Sequence, residues 1–285
     1  TTLFRSENKV SPFNILSLTF TNKAAREMKE RIASLVGEKN AKNLWMGTFH
    51  SVFAKLLRME SEKLGYPHNF TIYDTDDSKS VIREILKNLK LDDKVYKPSL
   101  VLNRISDAKN KLISARQYLN NPITQQEDFS SRKPMLGQIY AAYEKANFRA
   151  GAMDFDDLLL KTYEVLNRFP EVLYKYQHKF KYVLIDEFQD TNTLQYKWLR
   201  LLGGGGAAIF AVGDDDQSIY GWRGADIHNI LDFTSDTVIK LEQNYRSTQE
   251  ILDLSNWLLD QSEIRYNKHL QAYRGDGIKP KMHIF

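Results

Sequence analysis

Short apolar runs alternate with stretches of helical spacing near the start of the chain. The apolar run at residues 15–19 predicts a buried strand, and Thr21 and Asn22 then cap a helix whose apolar side chains recur every three or four residues up to Gly37. A second strand at residues 44–48 leads into another helix of the same spacing. Because strands and helices alternate, this part of the chain is predicted to form a parallel α/β sheet.

The middle of the chain, from about residue 50 to 180, has helical periodicity and few candidates for strands. Helices are predicted at residues 78–89, 100–112, 135–149 and 156–167, punctuated by prolines at positions 98, 122 and 134. Residues 153–158, MDFDDL, are interpreted as a helix N-cap followed by an acidic first turn. This pattern predicts an all-helical subdomain inserted into the α/β domain.

The α/β pattern resumes at residue 182. Strands are predicted at residues 182–186, 208–212 and 238–241, and helices at residues 193–202 and 248–259. The first and last thirds of the chain are therefore expected to share one sheet. We divide the chain into a first part of the α/β domain (1–49), a helical insertion (50–179), a second part of the α/β domain (180–248) and a linker or the start of a second domain (249–285).

Composition narrows the class of protein. The 285 residues are 42% hydrophobic and 27% charged, which is typical of a globular protein. Cysteine is absent, which excludes disulfides, a thiol nucleophile and any cysteine-ligated metal site. The net charge of +4 permits nucleic-acid binding without requiring it. No apolar run approaches the roughly 18–20 residues of a membrane-spanning helix, so no membrane partner is expected.

The first candidate for chemistry is the segment YVLIDEFQD, residues 182–190. It places Asp186 and Glu187 directly after an apolar strand, at the end of the sheet where α/β folds bind ligands. Mg²⁺ takes one or two carboxylates together with phosphate oxygens, so Asp186 is the candidate metal ligand. Glu187 is the candidate for orienting or deprotonating the water that attacks a γ-phosphate. An acidic turn that caps the next helix is the alternative.

The second candidate is the segment AVGDDDQSIYGWRGAD, residues 211–226. Gln217 offers a neutral amide that can sense a phosphate or a water. Tyr220, Trp222 and Arg223 lie close together between glycines, and such a set can stack on single-stranded bases for roughly 1–3 kcal/mol per base. Core packing is the alternative for Trp222, and the flanking glycines favour exposure instead.

The segment LEQNYRST, residues 241–248, carries a weaker signal. Tyr245 can stack on an adenine face, and Arg246 can reach a phosphate. Ordinary packing between a strand and a helix is the alternative.

The ends of the first two predicted strands carry a further weak signal. Thr21 and Asn22 begin a helix whose N-terminus can bind a phosphate, and Phe20 can contact a base. His50 follows the second strand in the same way. Helix capping and burial of the aromatic rings are the alternatives.

Read in order, these segments resemble the UvrD/Rep/PcrA helicases, a branch of helicase superfamily 1. The similarity runs from about residue 13 to 260 and is carried by TFTNKAAREM, TFHS, DFDDLL, LIDEFQDTN, VGDDDQSIYGWRGAD and LEQNYRST. The resemblance implies a RecA-like parallel sheet of the P-loop NTPase type with an inserted all-helical subdomain. It also implies that the chain contains the first RecA-like domain and only the opening of the second.

The resemblance implies an ATP-dependent 3′→5′ DNA helicase that uses ATP and Mg²⁺. By resemblance, Asp186 and Glu187 match the metal-binding and catalytic pair, and Gln217 matches the γ-phosphate sensor. Tyr245 matches the residue that stacks on adenine, and Arg246 matches an arginine finger. The residues that match the DNA-binding surface or its support are Phe20, Thr21, Asn22, His50, Tyr220, Trp222 and Arg223.

The partners that the resemblance implies are single-stranded DNA and single/double-strand junctions, with repair or replication proteins in addition. The implied location is the bacterial cytoplasm, in association with the nucleoid.

The sequence departs from the family in lacking a G-x-x-x-x-G-K-[ST] phosphate loop and the later motifs. Thr1 or Thr2 is the candidate for the trailing threonine of that loop, and a fragment without ATPase activity of its own is expected. Two other functions stay open. One is a non-catalytic module that binds single-stranded DNA, and the other is a metal-dependent nuclease that uses Asp186, Glu187 and residues 214–216.

Overall fold

The computed structural model describes residues 10–41, 44–262 and 265–281, so Thr1 and Thr2 lie outside the described residues. The strands are β1 (Ile15–Thr19), β2 (Trp45–Thr48), β3 (Thr71–Tyr73), β4 (Ala152–Asp154), β5 (Tyr182–Ile185), β6 (Ala208–Ala211), β7 (Gln243–Asn244) and β8 (Gln271–Ala272). Four of them form one parallel sheet in the order β2-β1-β5-β6. The prediction that the first and last thirds share a sheet is therefore confirmed.

The α-helices surround this sheet and fill the middle of the chain. They are α1 (Asn22–Val36), α2 (Glu38–Ala41), α3 (Phe49–Glu60), α4 (Thr75–Asn88), α5 (Pro98–Asn110), α6 (Ala115–Asn120), α7 (Pro122–Ser130), α8 (Leu136–Arg149), α9 (Phe155–Arg168), α10 (Pro170–Lys179), α11 (Thr193–Gly203), α12 (His228–Leu231) and α13 (Gln249–Leu259). The predicted α/β class with an inserted helical region is confirmed. No helix among the described residues is both long and apolar enough to cross a membrane.

Apolar packing holds the sheet between two layers of helices. On one face, Leu18 of β1 joins a large buried cluster with Phe53 of α3 and Trp198 of α11. On the other face, Ile15 of β1 packs with Ile32 of α1. Strand β1 is buried along its whole length because it carries apolar side chains on both faces, which is typical of a central parallel strand.

The helical insertion has a core of its own. Buried apolar side chains from α4, α5, α6 and α8 form a separate cluster that includes Ile82, Ile105, Tyr118 and Ile139. Within this region, β3 and β4 form a short parallel pair that the sequence pattern did not indicate. Strands of three residues are too short to produce a recognisable alternation.

One predicted strand is wrong. Residues 238–241 are not a strand, and Val238, Ile239 and Leu241 are exposed. The strand that does form is β7, which pairs with β8 rather than with the main sheet. A run of apolar residues predicts a strand only where a partner strand or a core covers it, and no described residue buries these three side chains.

Candidate active site at the carboxyl edge of the sheet

The acidic pair lies where the chain leaves β5. All four strands of the main sheet run the same way, so their carboxyl ends form one edge. The backbone N–H of Asp186 still donates to the carbonyl of Leu18 on β1, at 3.0 Å. The next residue, Glu187, has φ of +53°, a left-handed conformation that costs energy for any residue other than glycine. The chain therefore turns sharply at Glu187, whose side chain is exposed, while Asp186 is half-buried.

The electrostatics of this turn favour a cation. Burial raises the pKa of Asp186 above its ordinary value, and the charge of Glu187 adds to the effect. Burial and Glu187 likewise raise the pKa of Asp190 to about 6. Within the described residues, no lysine, arginine or histidine forms an ion pair with any of these three carboxylates. A half-buried, unpaired carboxylate next to an exposed one is a donor set that fits Mg²⁺.

Gln189 connects the acidic turn to the neighbouring loop. Its side chain is only 1% exposed, and its Nε2 donates to Oε2 of Glu187 at 2.8 Å. Its Oε1 accepts a hydrogen bond from the backbone N–H of Asp214 at 3.0 Å. A Cβ at Gly213 would lie 2.6 Å from the same Oε1, so this close approach requires glycine. Sequence alone does not indicate a role for Gln189, although it lies inside LIDEFQDTN, because a glutamine in a short turn after a strand is usually an exposed loop residue.

Gln217 belongs to the same network of hydrogen bonds. Its Nε2 donates to Oδ2 of Asp214 at 2.6 Å, and the side chain of Asp214 also accepts from the backbone N–H of Asp216 at 3.2 Å. The exposed Gln217 is thus linked to Glu187 through Asp214 and Gln189. The structure therefore brings Gln217 and the acidic pair together, as their positions after neighbouring strands imply.

The three aspartates at 214–216 do not form an open metal site. Their carboxylate oxygens lie within 4.8 Å of one another, but Lys268 pairs with all of them. Its Nζ lies 2.6 Å from Asp215 and 3.0 Å from Asp216. Because the ammonium group of Lys268 already lies among the three carboxylates, where a metal ion would have to bind, the geometry argues against the two-metal nuclease.

The aromatic residues and the arginine of the next turn form an exposed group. Trp222 is 75% exposed, which agrees with the exposure that its flanking glycines predict. The ring centroids of Tyr220 and Trp222 are 6.4 Å apart. The guanidinium of Arg223 lies 5.3 Å from the ring of Tyr220 and 4.6 Å from that of Trp222. These contacts give a surface with π faces and a positive charge, as a stacking platform needs.

The segment that carries this exposed group is also bonded to the acidic turn at its C-terminal end. Asn192 and Ala225 form an isolated antiparallel bridge, and the N–H of Asp226 donates to the carbonyl of Thr191 at 3.0 Å. The side-chain amide of Asn229 donates to the same carbonyl at 2.8 Å. The segment from residue 213 to 229 is therefore bonded at both ends to residues 187–192.

The candidate DNA-binding residues that follow β1 and β2 lie farther along the same edge of the sheet. Thr21 caps α1 by accepting from the N–H of Ala24 at 3.1 Å, and Asn22 is the exposed first residue of that helix. The half-buried ring of Phe20 packs on the buried Phe49, with their centroids 5.4 Å apart. Phe20 therefore supports the surface more than it extends from it.

His50 packs edge-on against Phe155, with the ring centroids 5.8 Å apart. Burial lowers the pKa of His50, and the nearby charge of Asp156 opposes that effect only in part. The imidazole is therefore neutral at pH 7 and can offer hydrogen bonds but no charge.

Tyr245 and Arg246 are exposed and belong to a different part of the structure. The ring of Tyr245 lies 4.9 Å from that of Tyr273, and its hydroxyl donates to Gln243 at 2.8 Å. The side chain of Arg274 donates to the carbonyl of Arg246 at 3.0 Å. Across the part of the chain that the structure describes, no hydrogen bond or ion pair joins Tyr245 or Arg246 to Asp186, Glu187 or Gln217.

A parallel sheet with an acidic carboxyl edge and an inserted helical region is the architecture of a RecA-like helicase domain. The family model for the UvrD/REP helicase N-terminal domain matches residues 3–238. The chain belongs to this family.

Two relatives show how much of the family's length this chain represents. The protein named ATP-dependent DNA helicase PcrA in Staphylococcus aureus is 44% identical over 277 residues, which is 96% of this chain and 37% of the relative. The protein of the same name in Staphylococcus epidermidis gives the same values. The chain thus spans little more than a third of the length of these curated relatives.

Proposed function

We propose that this chain is the ATP-hydrolysing part of a DNA helicase that moves 3′→5′ along single-stranded DNA and unwinds duplex at single/double-strand junctions. The observation that carries the proposal is the bonded connection between the acidic end of β5 and the exposed aromatic group. Gln189 joins Glu187 to Asp214 at one end of the connecting segment. Thr191 holds the other end through Asp226. Family membership and the names of the relatives support the same assignment.

Several side chains act at the nucleotide end of the site, each with its own role. Asp186 would hold Mg²⁺, which supplies neutralisation of phosphate charge when it is bound. The exposed carboxylate of Glu187 orients the attacking water and accepts its proton, and Gln189 fixes that carboxylate by a hydrogen bond to Oε2. Gln217 offers an exposed amide to the γ-phosphate. Tyr245 stacks on adenine, and Arg246 contacts phosphate.

The DNA end of the site is the surface around Trp222. Bases stack on Tyr220 and Trp222, and Arg223 adds a positive charge beside both rings. Because strands β2 and β1 precede β5 in the order of the sheet, His50 and the residues of segment 20–22 continue the same edge. DNA that lies along this edge contacts the loop whose ends are bonded to the acidic turn. Binding of DNA therefore alters the positions of Gln217 and Glu187.

The partners and location follow from the same assignment. We infer that the full-length protein acts on DNA in the bacterial cytoplasm, in association with the nucleoid and with repair or replication proteins.

The test uses the full-length protein that contains this chain. ATP turnover is measured with Mg²⁺ in the presence and absence of an oligothymidine, and unwinding is measured on duplexes with a 3′ or a 5′ single-stranded tail. We expect turnover to rise strongly with DNA and unwinding to require the 3′ tail. DNA binding without ATP turnover would instead identify a non-catalytic binding module. DNA cleavage that needs no nucleotide and stops with a chelator would identify a nuclease.

A further inference from the structure

The segment from residue 265 to 274, here called the C-terminal strap, touches two separate groups of candidate site residues. It contains β8, whose backbone pairs with β7 through Gln271 N–H to the carbonyl of Glu242 and Tyr273 N–H to the carbonyl of Asn244, both at 2.8 Å. The strap begins at Arg265, far along the chain from the strands of the main sheet. Nothing in the sequence pattern gave this segment a function.

Lys268 is the strap residue that reaches the acidic loop. Its side chain is only 15% exposed, and its Nζ pairs with Asp214, Asp215 and Asp216 together. Burial acts to lower the pKa of Lys268, but the hydrogen bonds to the three aspartates outweigh it and raise that pKa above its ordinary value. The ammonium is therefore charged at neutral pH and offsets the mutual repulsion of three adjacent carboxylates.

The contact with Asp214 leads into the candidate ATPase site. One carboxylate oxygen of Asp214 binds Lys268, and the other accepts from the amide of Gln217 at 2.6 Å. The backbone N–H of Asp214 donates to Gln189, which in turn holds Glu187. The amide of Gln217 is thus bonded directly to the side chain that Lys268 holds, and the carboxylate of Glu187 is linked to the backbone of the same residue through Gln189.

Neighbouring strap contacts hold Lys268 in place. The backbone N–H of Tyr266 donates to Oδ2 of Asp215 at 2.7 Å, and its hydroxyl donates to the carbonyl of Ile230 at 3.1 Å. Nε of Arg265 lies 3.5 Å from Asp216. The strap therefore approaches the acidic loop in one defined register.

The other end of the strap contacts the proposed adenine and phosphate residues. The ring of Tyr273 packs on Tyr245, and Arg274 donates to the carbonyl of Arg246. The two groups of site residues make no direct hydrogen bond or ion pair with each other among the described residues, and the strap contacts both of them.

We propose that Lys268 is a positioning residue of the ATPase site, which orients Gln217 and Glu187 through Asp214 and keeps them in register with Tyr245 and Arg246. The inference rests on the proposed function. It predicts that removing the ammonium impairs turnover while leaving ATP binding largely intact, because Lys268 itself points at carboxylates and not at a nucleotide.

The experiment compares variants of the full-length protein by DNA-stimulated ATP turnover. Lys268→Met is expected to lower kcat about tenfold or more, since misplaced catalytic groups are costly, with KM for ATP within about twofold of wild type. Lys268→Arg keeps the charge and is expected to recover much of the loss. Lys240→Met is the matched control, because Lys240 binds the carbonyl of Asn267 in the strap but contacts none of the three aspartates.

A second variant separates positioning from folding. Asp214→Asn is expected to reproduce the kcat defect, and the double variant Asp214→Asn/Lys268→Met is expected to be no worse than either single one, because both act through one contact. Additive losses of kcat in the double variant would overturn the inference. It would also be overturned if the loss of turnover in Lys268→Met matched an equal loss of folded protein in thermal melting and Lys268→Arg did not recover it. Lys268→Met turnover equal to that of the control would overturn it too, while leaving the proposed function intact. A wild type without DNA-stimulated turnover would overturn both.

Discussion

Gln189 accepts a hydrogen bond from the backbone of Asp214 across two loops that follow different strands, with an oxygen-to-nitrogen distance of 3.0 Å. The same side chain donates to Glu187 on its own loop. A single buried amide thus joins the acidic turn to the segment that carries Gln217 and the exposed aromatic group. The proposed coupling between nucleotide chemistry and DNA contact requires a link of this kind, and Gln189 forms it with both the oxygen and the nitrogen of its side-chain amide.

Gln189→Ala should weaken both folding and coupling. The substitution removes two hydrogen bonds from a buried group, which typically costs about 1–3 kcal/mol of the free energy of unfolding. It should also lower the stimulation of ATP turnover by DNA more than the basal turnover. Denaturant unfolding and turnover assays measure the two effects. Gln261→Ala, at an exposed glutamine near the end of α13, is the control, and unchanged DNA stimulation in Gln189→Ala would show that the joint carries no coupling.

Trp222→Ala should weaken single-stranded DNA binding by about 1–3 kcal/mol while leaving thermal stability unchanged. The reason is that an exposed ring can stack on a base but contributes little to the core. Fluorescence anisotropy with a labelled oligothymidine measures the affinity. Tyr174→Ala is the matched control, because Tyr174 is also exposed but lies on α10, which leads into the amino end of β5. Equal losses in the two variants would contradict a specific DNA role for Trp222.

Lys109→Met should destabilise the protein by about 3–5 kcal/mol, because it leaves two buried carboxylates without their cation. Lys109 is fully buried, and its Nζ lies 2.7 Å from Asp154 and 2.8 Å from Asp157. Lys111→Met is the control two residues away, where the exposed ion pair with Asp107 is worth less than about 1 kcal/mol. Denaturant unfolding of both variants measures the difference. Similar stabilities would mean that the buried pair does not hold the helical insertion to α9.

Asp190→Asn should stabilise the protein at neutral pH. The pKa of Asp190 rises from 3.8 to about 6 on folding, and its Oδ1 is buried without a hydrogen-bond partner. The folded state therefore binds the proton more tightly than the unfolded state does. As a result, the free energy of unfolding of the wild type falls as the pH rises from 3.8 to about 6. At pH 7.5 the asparagine variant should be more stable by about 1 kcal/mol, allowing for solvent screening.

The advantage of Asp190→Asn should shrink toward zero near pH 4, where the aspartate is protonated in the folded state. Unfolding at several pH values measures it, with the exposed Asp236→Asn as the control. An advantage that stays constant with pH would show that ionisation of Asp190 is not its cause.

The sequence predicts local features of this fold well and long-range pairings poorly. Strand β1 and the cap of α9 at Asp154 follow from apolar runs and cap residues that are adjacent in the chain. The pairing of Lys109 with Asp154 joins residues that are 45 positions apart, and no local pattern indicates it. The contact of Lys268 with Asp214 joins residues that are 54 positions apart, and it cannot be predicted from the sequence for the same reason.

The candidate site shows the same difference between local features, which the sequence predicts, and long-range contacts, which it does not. The positions of Asp186, Glu187 and Gln217 follow from the rule that parallel strands end at one edge, and the exposure of Trp222 follows from its flanking glycines. The burial of Gln189 could not be predicted, since it depends on the close approach of Gly213 from another loop. The roles of these residues stay predictions until activity is measured.

The most direct measurement is DNA-stimulated ATP turnover of Glu187→Gln in the full-length protein, together with its affinity for ATP. The amide keeps the size of the side chain but cannot accept a proton from water. We expect turnover to be abolished while ATP and single-stranded DNA still bind. Turnover equal to that of wild type would contradict a catalytic role for the acidic end of β5.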